Sequence, residues 1–340
     1  MKGKHAFAIG LIFFTTAVVA QSGYHLIKKT VIGGEGGWDY LSVDSKNRRL
    51  YISHSTQVEI LNADTHEKIG TITGLKGVHG VIAVPESGRG ITTNGRSNNV
   101  TIFDLKTLKT IIELPTGKNP DALLYDKFSK RVFTFNHSDV TATAIDIAGG
   151  KVVGTIDLGG TALEAGVTDE NGTIFVNLED ASEIVSFDAK TLTIKNRWKI
   201  SPCEEPTGLA LDKKNKRLFS VCHSETMMVI DSEKGTIVAQ VPIGKRVDGA
   251  AFDPKTKMAF SSNGEGSITV VQEVSANEFK VLETIKTEVG ARTIALDQKT
   301  HHVFVSTAQY GETPAPTTEN PNPRPKVVPG TFMVLEYGIK

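Results

Sequence analysis

Acidic side chains recur in this sequence at spacings of 82, 43 and 84 residues, which are one or two multiples of a period slightly above forty. They are Asp39, Asp121, Glu164 and Asp248, and Arg292 stands at the corresponding position of the last repeat. Carboxylates that converge on one point disfavour each other's ionised form unless a positive partner enters between them. These residues therefore indicate a site for a cation or a polar ligand, in which Arg292 neutralises the acids or holds a ligand carboxylate bidentately.

The same acids also have a structural interpretation. An aspartate in a loop that enters a strand commonly accepts backbone N–H groups. A repeated sequence reproduces such a structural aspartate as readily as a functional one. Capping of loops, or the lining of a water-filled channel, is therefore an alternative to ligand binding.

Histidines supply a second chemical signal. Those expected on the same face as the acids are His54, His79, His137 and His223. Imidazole beside carboxylates suits a divalent metal such as zinc, copper or iron, so these four are candidate metal ligands. No short metal-binding motif accompanies them, and chance placement in loops is the alternative. Asn136, at the end of a predicted strand beside His137, joins the ligand-binding candidates.

The two cysteines, Cys203 and Cys222, fall in one repeat and on one face. In an oxidising compartment, a disulfide between them would close a short hairpin. A metal thiolate at Cys222 is the alternative, and a catalytic cysteine fits less well because only His223 stands close in sequence as a base.

The elements that must position these residues are strands. Seven times, a short apolar run, a turn and a second apolar run recur with a period in the low forties. The turns begin at Asp44, Pro85, Asp126, Asp169, Asp212, Asp253 and Asp297. This period, built only from strand-like runs, predicts an all-β, seven-bladed β-propeller with four-stranded blades and a single domain over residues 21–340.

The last repeat lacks its outer strand, and residues 25–32 are expected to supply it and close the ring with strands from 292–335. In each blade the innermost strand begins on the face where the second strand ends, so the chemical residues are expected around one mouth of the central channel. The Pro-rich segment 309–330 lies within this last blade. It is expected over the mouth as a lid, a docking arm or a solvated loop.

The first twenty residues resemble a cleaved export signal. Lys2 and Lys4 precede an apolar stretch from Ala6 to Ala20 that is short for a membrane span. We therefore expect an exported protein, periplasmic or secreted, with no stable membrane insertion after cleavage. Lys plus Arg and Asp plus Glu balance at 38 each, which disfavours nucleic acid as a partner.

The second strands carry a family resemblance. Their sequences are Leu50–Ser55, Gly90–Gly95, Val132–His137, Leu218–His223 and Ala259–Gly264. They are similar to the Tyr-Val-Thr-Asn repeat of the YncE-like β-propellers, over essentially the whole chain after the signal. The resemblance implies a seven-bladed fold and an exported protein, and it implies little about the ligand.

We predict the function from the residues expected around the channel mouth. The expectation is a monomeric protein that binds a small polar molecule or a peptide or protein partner there, without a reaction of its own. The alternative is a metal-dependent hydrolase or lyase of the lactonase-like kind, with histidines and carboxylates as ligands and bases. No nucleophile elbow or metal motif accompanies that alternative. A third possibility is an interaction module that uses the blade rims.

Overall fold

The protein is an all-β propeller of seven four-stranded antiparallel sheets, as seen in a computed structural model. The structure describes residues 22–318, 323 and 325–339. The predicted export signal, residues 1–20, lies outside the described residues. Within the described part of the chain, no helix combines the length and the apolar character needed to cross a membrane.

The first six blades each take four consecutive strands. Blade one consists of β2 (Trp38–Asp44), β3 (Arg49–His54), β4 (Gln57–Asn62) and β5 (Lys68–Ile72), and blade two of β6 (Val78–Val84), β7 (Arg89–Asn94), β8 (Asn99–Asp104) and β9 (Thr110–Pro115). Blade three consists of β10 (Pro120–Asp126), β11 (Arg131–Asn136), β12 (Thr141–Asp146) and β13 (Lys151–Asp157), and blade four of β14 (Leu163–Thr168), β15 (Thr173–Leu178), β16 (Glu183–Asp188) and β17 (Ile194–Lys199). Blade five consists of β18 (Pro206–Asp212), β19 (Arg217–Cys222), β20 (Thr226–Asp231) and β21 (Ile237–Pro242), and blade six of β22 (Val247–Asp253), β23 (Met258–Asn263), β24 (Ser267–Ser275) and β25 (Glu278–Lys286). Short 3-10 helices occur at Pro85–Ser87 and Gly95–Ser97.

The seventh blade closes the ring with the first strand of the chain. It consists of β26 (Arg292–Leu296), β27 (Val303–Thr307), β28 (Met333–Gly338) and, outermost, β1 (His25–Val31). β1 runs antiparallel to β28, with Val31 opposite Met333. The predicted architecture and its closure by the N-terminal strand are confirmed. Such closure protects strand edges that an open stack would expose.

The repeated turn aspartates have a local structural role. Each accepts a backbone N–H two or three residues further on, at 2.7–3.1 Å, and thereby fixes the hairpin between the first two strands. The residues are Asp44, Asp126, Asp169, Asp212, Asp253 and Asp297. The turn aspartates that reveal the repeat thus stabilise the hairpins and serve folding rather than ligand binding.

The apolar core lies between neighbouring blades. The third residue of the second strand is large and fully buried in blade after blade, as with Phe133, Phe219 and Phe260. Between blades three and four, the rings of Phe133 and Phe187 meet edge to face at a centroid distance of 5.5 Å. These contacts lock each sheet against the next and fix where the innermost strands present their side chains.

Candidate functional site

Seven equivalent positions surround the mouth, one on each innermost strand near its first residue. We call this set the mouth ring; its members, in blade order, are Asp39, His79, Asp121, Glu164, Thr207, Asp248 and Arg292. Counting five residues back from each turn residue, as from Asp44 to Asp39, gives Gly80 rather than His79 in blade two. The structure corrects this by one residue, because β6 ends at Val84 and Pro85 already opens a 3-10 turn.

A backbone irregularity in every innermost strand aims the mouth ring inward. The pairing register between first and second strands shifts just after its opening pair, for example between Trp38 and Leu41 and between Pro120 and Leu123. A bulge of this kind re-aims side chains and ends regular pairing. Because the regular alternation of side-chain direction along the strand is broken here, Asp39 and Asp121 can contact residues of other blades.

Hydroxyl groups on the second strands hold these irregular segments in place. Ser53 Oγ accepts the N–H of Asp39 at 3.0 Å. Thr93 Oγ1 accepts the N–H of Gly80 at 2.7 Å and donates to the carbonyl oxygen of Asp121 at 2.5 Å. The backbone beside three consecutive members of the mouth ring is thereby anchored, so their side chains stand on rigid elements.

His79 lies between two acids. Its Nδ1 atom is 2.6 Å from Oδ2 of Asp39 and 3.4 Å from Oδ1 of Asp121. Burial by itself would lower the pKa of His79, but the hydrogen bond with Asp39 and the charge of Asp121 outweigh it and raise the pKa. One potential ligand atom from each of the three residues lies within 4.8 Å of the others, a geometry that could hold a metal ion.

A second group of the same kind shares Asp121. His137, just past the end of β11, has its Nδ1 atom 3.5 Å from Oε1 of Glu164 and 2.9 Å from the carbonyl oxygen of Leu163. The hydrogen bond with Glu164 raises the pKa of His137 to about 9. Asp121, His137 and Glu164 also bring ligand atoms within 4.8 Å of one another. Carboxylates and histidines thus alternate around this half of the mouth.

Asp121 is the most constrained acid. Its Oδ1 atom is buried and has no hydrogen-bond partner among the described residues. Burial, and then the charge of Asp39, raise its pKa well above the ordinary range, although His79 opposes this. None of the acids of the mouth ring accepts a backbone N–H from the part of the chain that the structure describes. The capping interpretation is therefore not supported at these positions, and a cation would relieve the crowding.

The opposite half of the mouth carries Asp248 and Arg292. The guanidinium Nη1 of Arg292 is 3.3 Å from Oδ2 of Asp248, and its Nη2 donates to the carbonyl oxygen of Trp38 at 3.2 Å. Burial raises the pKa of Asp248 to about 7 although Arg292 opposes the shift; the charges of Asp39 and Glu164 add to it. The Arg292 side chain is 47% exposed, so it remains accessible to a ligand.

Tyr40 was not singled out by the sequence. It belongs to blade one, yet its ring packs against the apolar cluster of blades three and four, so it crosses the channel. Burial raises its pKa well above the ordinary value, and the charges of Asp121, Glu164 and Asp39 add to the effect. Its phenol therefore lies among the mouth acids, and its ring helps to close the channel near them.

His223 forms a separate, more open group. Its Nδ1 is 2.7 Å from Oε2 of Glu205, its Nε2 is 3.2 Å from the carbonyl oxygen of Val247, and Glu179 completes a third possible ligand set. The His223 and Glu205 side chains are 39% and 61% exposed. With both ring nitrogens already engaged, this group is a weaker candidate than the two that share Asp121.

Two candidates from the sequence do not join the site. His54 is buried, its ring stacks on Phe332 at a centroid distance of 4.2 Å, and it belongs to neither of the groups that share Asp121. Asn136 is fully buried and its amide donates to Thr141 and Thr143, both at 2.9 Å. The position of His54 and the role of Asn136 are thus corrected. Asparagines at this position tie the second strand to the third.

The cysteines and the Pro-rich segment border the mouth. Cys203 and Cys222, the pair singled out by the sequence, form a disulfide with a Cα separation of 5.5 Å. In the Pro-rich segment, Tyr310 bridges to Val327 and its ring lies 6.2 Å from that of Trp38. The described part of this segment therefore packs beside the entrance to β2, next to Asp39.

Comparisons with known proteins support the fold. No protein-family model and no curated protein matches the sequence. Among solved structures, the chain is similar to a chain of Kuenenia stuttgartiensis hydrazine synthase, with a TM-score of 0.68, 14% identity, and coverage of 86% of this chain and 96% of that one. At this identity the likeness shows the β-propeller fold alone. Membership of the YncE-like family stays a prediction.

Proposed function

We propose that the protein is an exported β-propeller that binds a small polar ligand at the channel mouth, and that this ligand is or includes a divalent cation. Asp39, His79, Asp121, His137 and Glu164 would hold the cation. The observation that carries this proposal is the convergence of these five side chains, from four consecutive blades, into two ligand groups joined at Asp121.

The charge of the site supports a cation as occupant. Without one, the environment favours protons on these groups: neighbouring acids raise the pKa values of His79 and His137, and burial raises the pKa of Asp121. A divalent ion would replace those protons and complete the coordination of the buried Asp121 oxygen. Imidazole with carboxylate is a donor set that suits zinc and related ions.

Two features support export as part of the proposal. The N-terminal sequence has the charge, length and small residues of a cleaved signal. The Cys203–Cys222 disulfide is of a kind that persists in oxidising compartments and is rare in reducing ones. Detection of the mature protein, beginning at residue 21, in the periplasm or medium of cells that express the full sequence would test export.

Metal binding is tested on the mature chain after removal of metal with a chelator. Zinc should be retained after dialysis and should raise the unfolding temperature, because an ion that binds only the folded state stabilises it. Replacing His79 and His137 together by Gln should abolish both effects, and His25→Gln, a surface histidine on β1, should change neither. Retention of zinc by the double variant would contradict the proposed site.

A metal-dependent hydrolase or lyase is the second candidate function. The observation that favours it is Asp248, whose pKa of about 7 suits proton transfer near neutrality. Arg292 beside it could hold an anionic group of a substrate. Assays of the zinc-loaded protein with lactones and simple esters, with Asp248→Asn as the control variant, would separate an enzyme from a binding protein.

A further inference from the structure

We propose that the mouth binds two divalent ions that share the carboxylate of Asp121, one together with Asp39 and His79 and the other together with His137 and Glu164. This inference rests on the proposed cation-binding function and adds its stoichiometry and internal arrangement. It also changes the chemistry of the site, because a pair of ions can clamp an oxyanion that a single ion holds only on one side.

The ligand geometry favours two positions over one. A zinc ion with ligand atoms about 2.0–2.2 Å away requires those atoms to lie within about 4.4 Å of one another. Each of the two groups is close to this limit, with all atoms inside 4.8 Å. Among the described residues, no group that contains both His79 and His137 meets that distance. One ion therefore cannot take both histidines without rearrangement.

Asp121 has the properties of a shared ligand. It lies between His79 and His137 in sequence, and it is the one residue common to both groups. Its buried Oδ1 atom lies 3.4 Å from Nδ1 of His79 and accepts no hydrogen bond from the described residues. A carboxylate has two oxygens, so it can contact both ions at the separation of about 3.5–4 Å that is usual in two-metal sites.

The charge balance indicates what a pair of ions would bind in addition. With neutral histidines, Asp39, Asp121 and Glu164 carry three negative charges, which a single divalent ion leaves only partly neutralised. Two ions leave a small positive excess that an anionic group can satisfy. Arg292 lies close enough to this half of the mouth to lower the pKa of His79 through its charge. The ligand class that fits is therefore a small oxyanion, such as a carboxylate or phosphate.

Zinc stoichiometry tests the pair directly. The metal-free mature chain is dialysed against zinc and then analysed for zinc per chain. We expect two ions in the native chain, one in His79→Gln and one in His137→Gln. Asp121→Asn should weaken the binding of both ions at least about tenfold. His223→Gln, in the separate open group, should leave two ions and serves as the matched control.

A second measurement avoids variants that fold poorly. When the native chain is loaded with Mn²⁺, two ions bridged by one carboxylate should give the spin-coupled electron paramagnetic resonance signal of a pair. An isolated-ion signal at full loading would overturn the pairing. So would one zinc per native chain, or the loss of one of two ions in His223→Gln. A native chain that binds no zinc would reject the proposed cation function itself.

Discussion

Nδ1 of His79 lies 2.6 Å from Oδ2 of Asp39, although the two residues are forty positions apart and belong to different blades. Their contact joins the innermost strands of blades one and two at the mouth of the channel. The hydrogen bond with Asp39 and the charge of Asp121 outweigh burial and raise the pKa of His79, which favours a proton on its ring. Binding of a metal ion must displace such protons.

Zinc binding should consequently release protons. Because the pKa of His137 is about 9, its imidazole is protonated at neutral pH and must become neutral to bind a metal. We expect zinc affinity at this position to fall about tenfold for each unit of decreasing pH between pH 8 and 6. Calorimetry in two buffers of different ionisation enthalpy measures the protons released. Identical heats in both buffers, or equal proton release from His137→Gln, would contradict the prediction.

Asp248 should make the stability of the metal-free protein depend on pH. Its pKa is raised from 3.8 to about 7, chiefly by burial. A raised folded-state pKa gives a stabilisation that is complete below pH 3.8 and is lost as pH rises through 7. In Asp248→Asn the unfolding free energy should therefore decline less steeply between pH 4 and 7, by up to about 1.4 kcal/mol per pH unit.

Chemical denaturation across this pH range measures the slope for Asp248. Glu278→Gln is the matched control, because Glu278 is an exposed carboxyl on β25 and its removal should leave the slope of the native protein unchanged. Equal slopes for the native protein and Asp248→Asn would show that Arg292 keeps the carboxyl ionised.

Tyr40 should contribute to stability through its ring rather than its hydroxyl. The ring crosses the channel and packs against the apolar cluster of blades three and four. Tyr40→Ala should cost about 3 kcal/mol in unfolding free energy, as loss of a packed aromatic ring does, whereas Tyr40→Phe should cost under about 1 kcal/mol. Urea denaturation of both variants decides this. A Phe variant as unstable as the Ala variant would assign the stabilisation to the hydroxyl.

The fold could be predicted from the sequence because its signals are local and repeated. Alternating strands, capped turns and the missing outer strand of the last repeat each point to the same closed ring. The site could be predicted only in part. Blade two replaces the aspartate-led turn with Pro85, which shifts the alignment by one residue and assigns its place in the mouth ring to Gly80 instead of His79.

The remaining errors concern the direction in which side chains point. Strand periodicity places His54 and Asn136 at the ends of second strands, but it does not say that one stacks on Phe332 and the other ties two strands together. The role of Tyr40 could not be predicted from the sequence because its partners lie across the channel, on blades far from it in sequence. Such contacts depend on ring geometry, which a repeat pattern does not encode.

The disulfide should stabilise blade five. Cys203 and Cys222 close a short segment with a sequence separation of 19, which limits the freedom of the unfolded chain. Replacing both by Ser should lower the unfolding free energy by about 2–4 kcal/mol. Thiol titration of the unreduced, denatured native protein should find no free thiol. Two free thiols per chain, or a double variant as stable as the native protein, would contradict this prediction.

A cluster of polar side chains helps to hold β1 in the ring. Thr30 of β1 contacts His66, with its Oγ1 2.7 Å from Nδ1, and Nε2 of His66 is 3.1 Å from Oε2 of Glu336 on β28. Burial alone would raise the pKa of Glu336, but hydrogen bonds with His66 and His302 outweigh it and lower the pKa. The first strand is thus held by its sheet pairing and by a buried polar cluster.

Deleting residues 22–31 should therefore lower stability by several kcal/mol, at about 1 kcal/mol for each hydrogen bond lost, and expose the edge of β28 to aggregation. Thr30→Val, which removes only the contact with His66, should cost about 1 kcal/mol and leave the protein monodisperse. A chain that begins at residue 22 is the matched control for the deletion. Thermal unfolding and light scattering measure both effects. A deletion variant that unfolds at the same temperature as this control and stays monodisperse would show that the ring does not depend on β1.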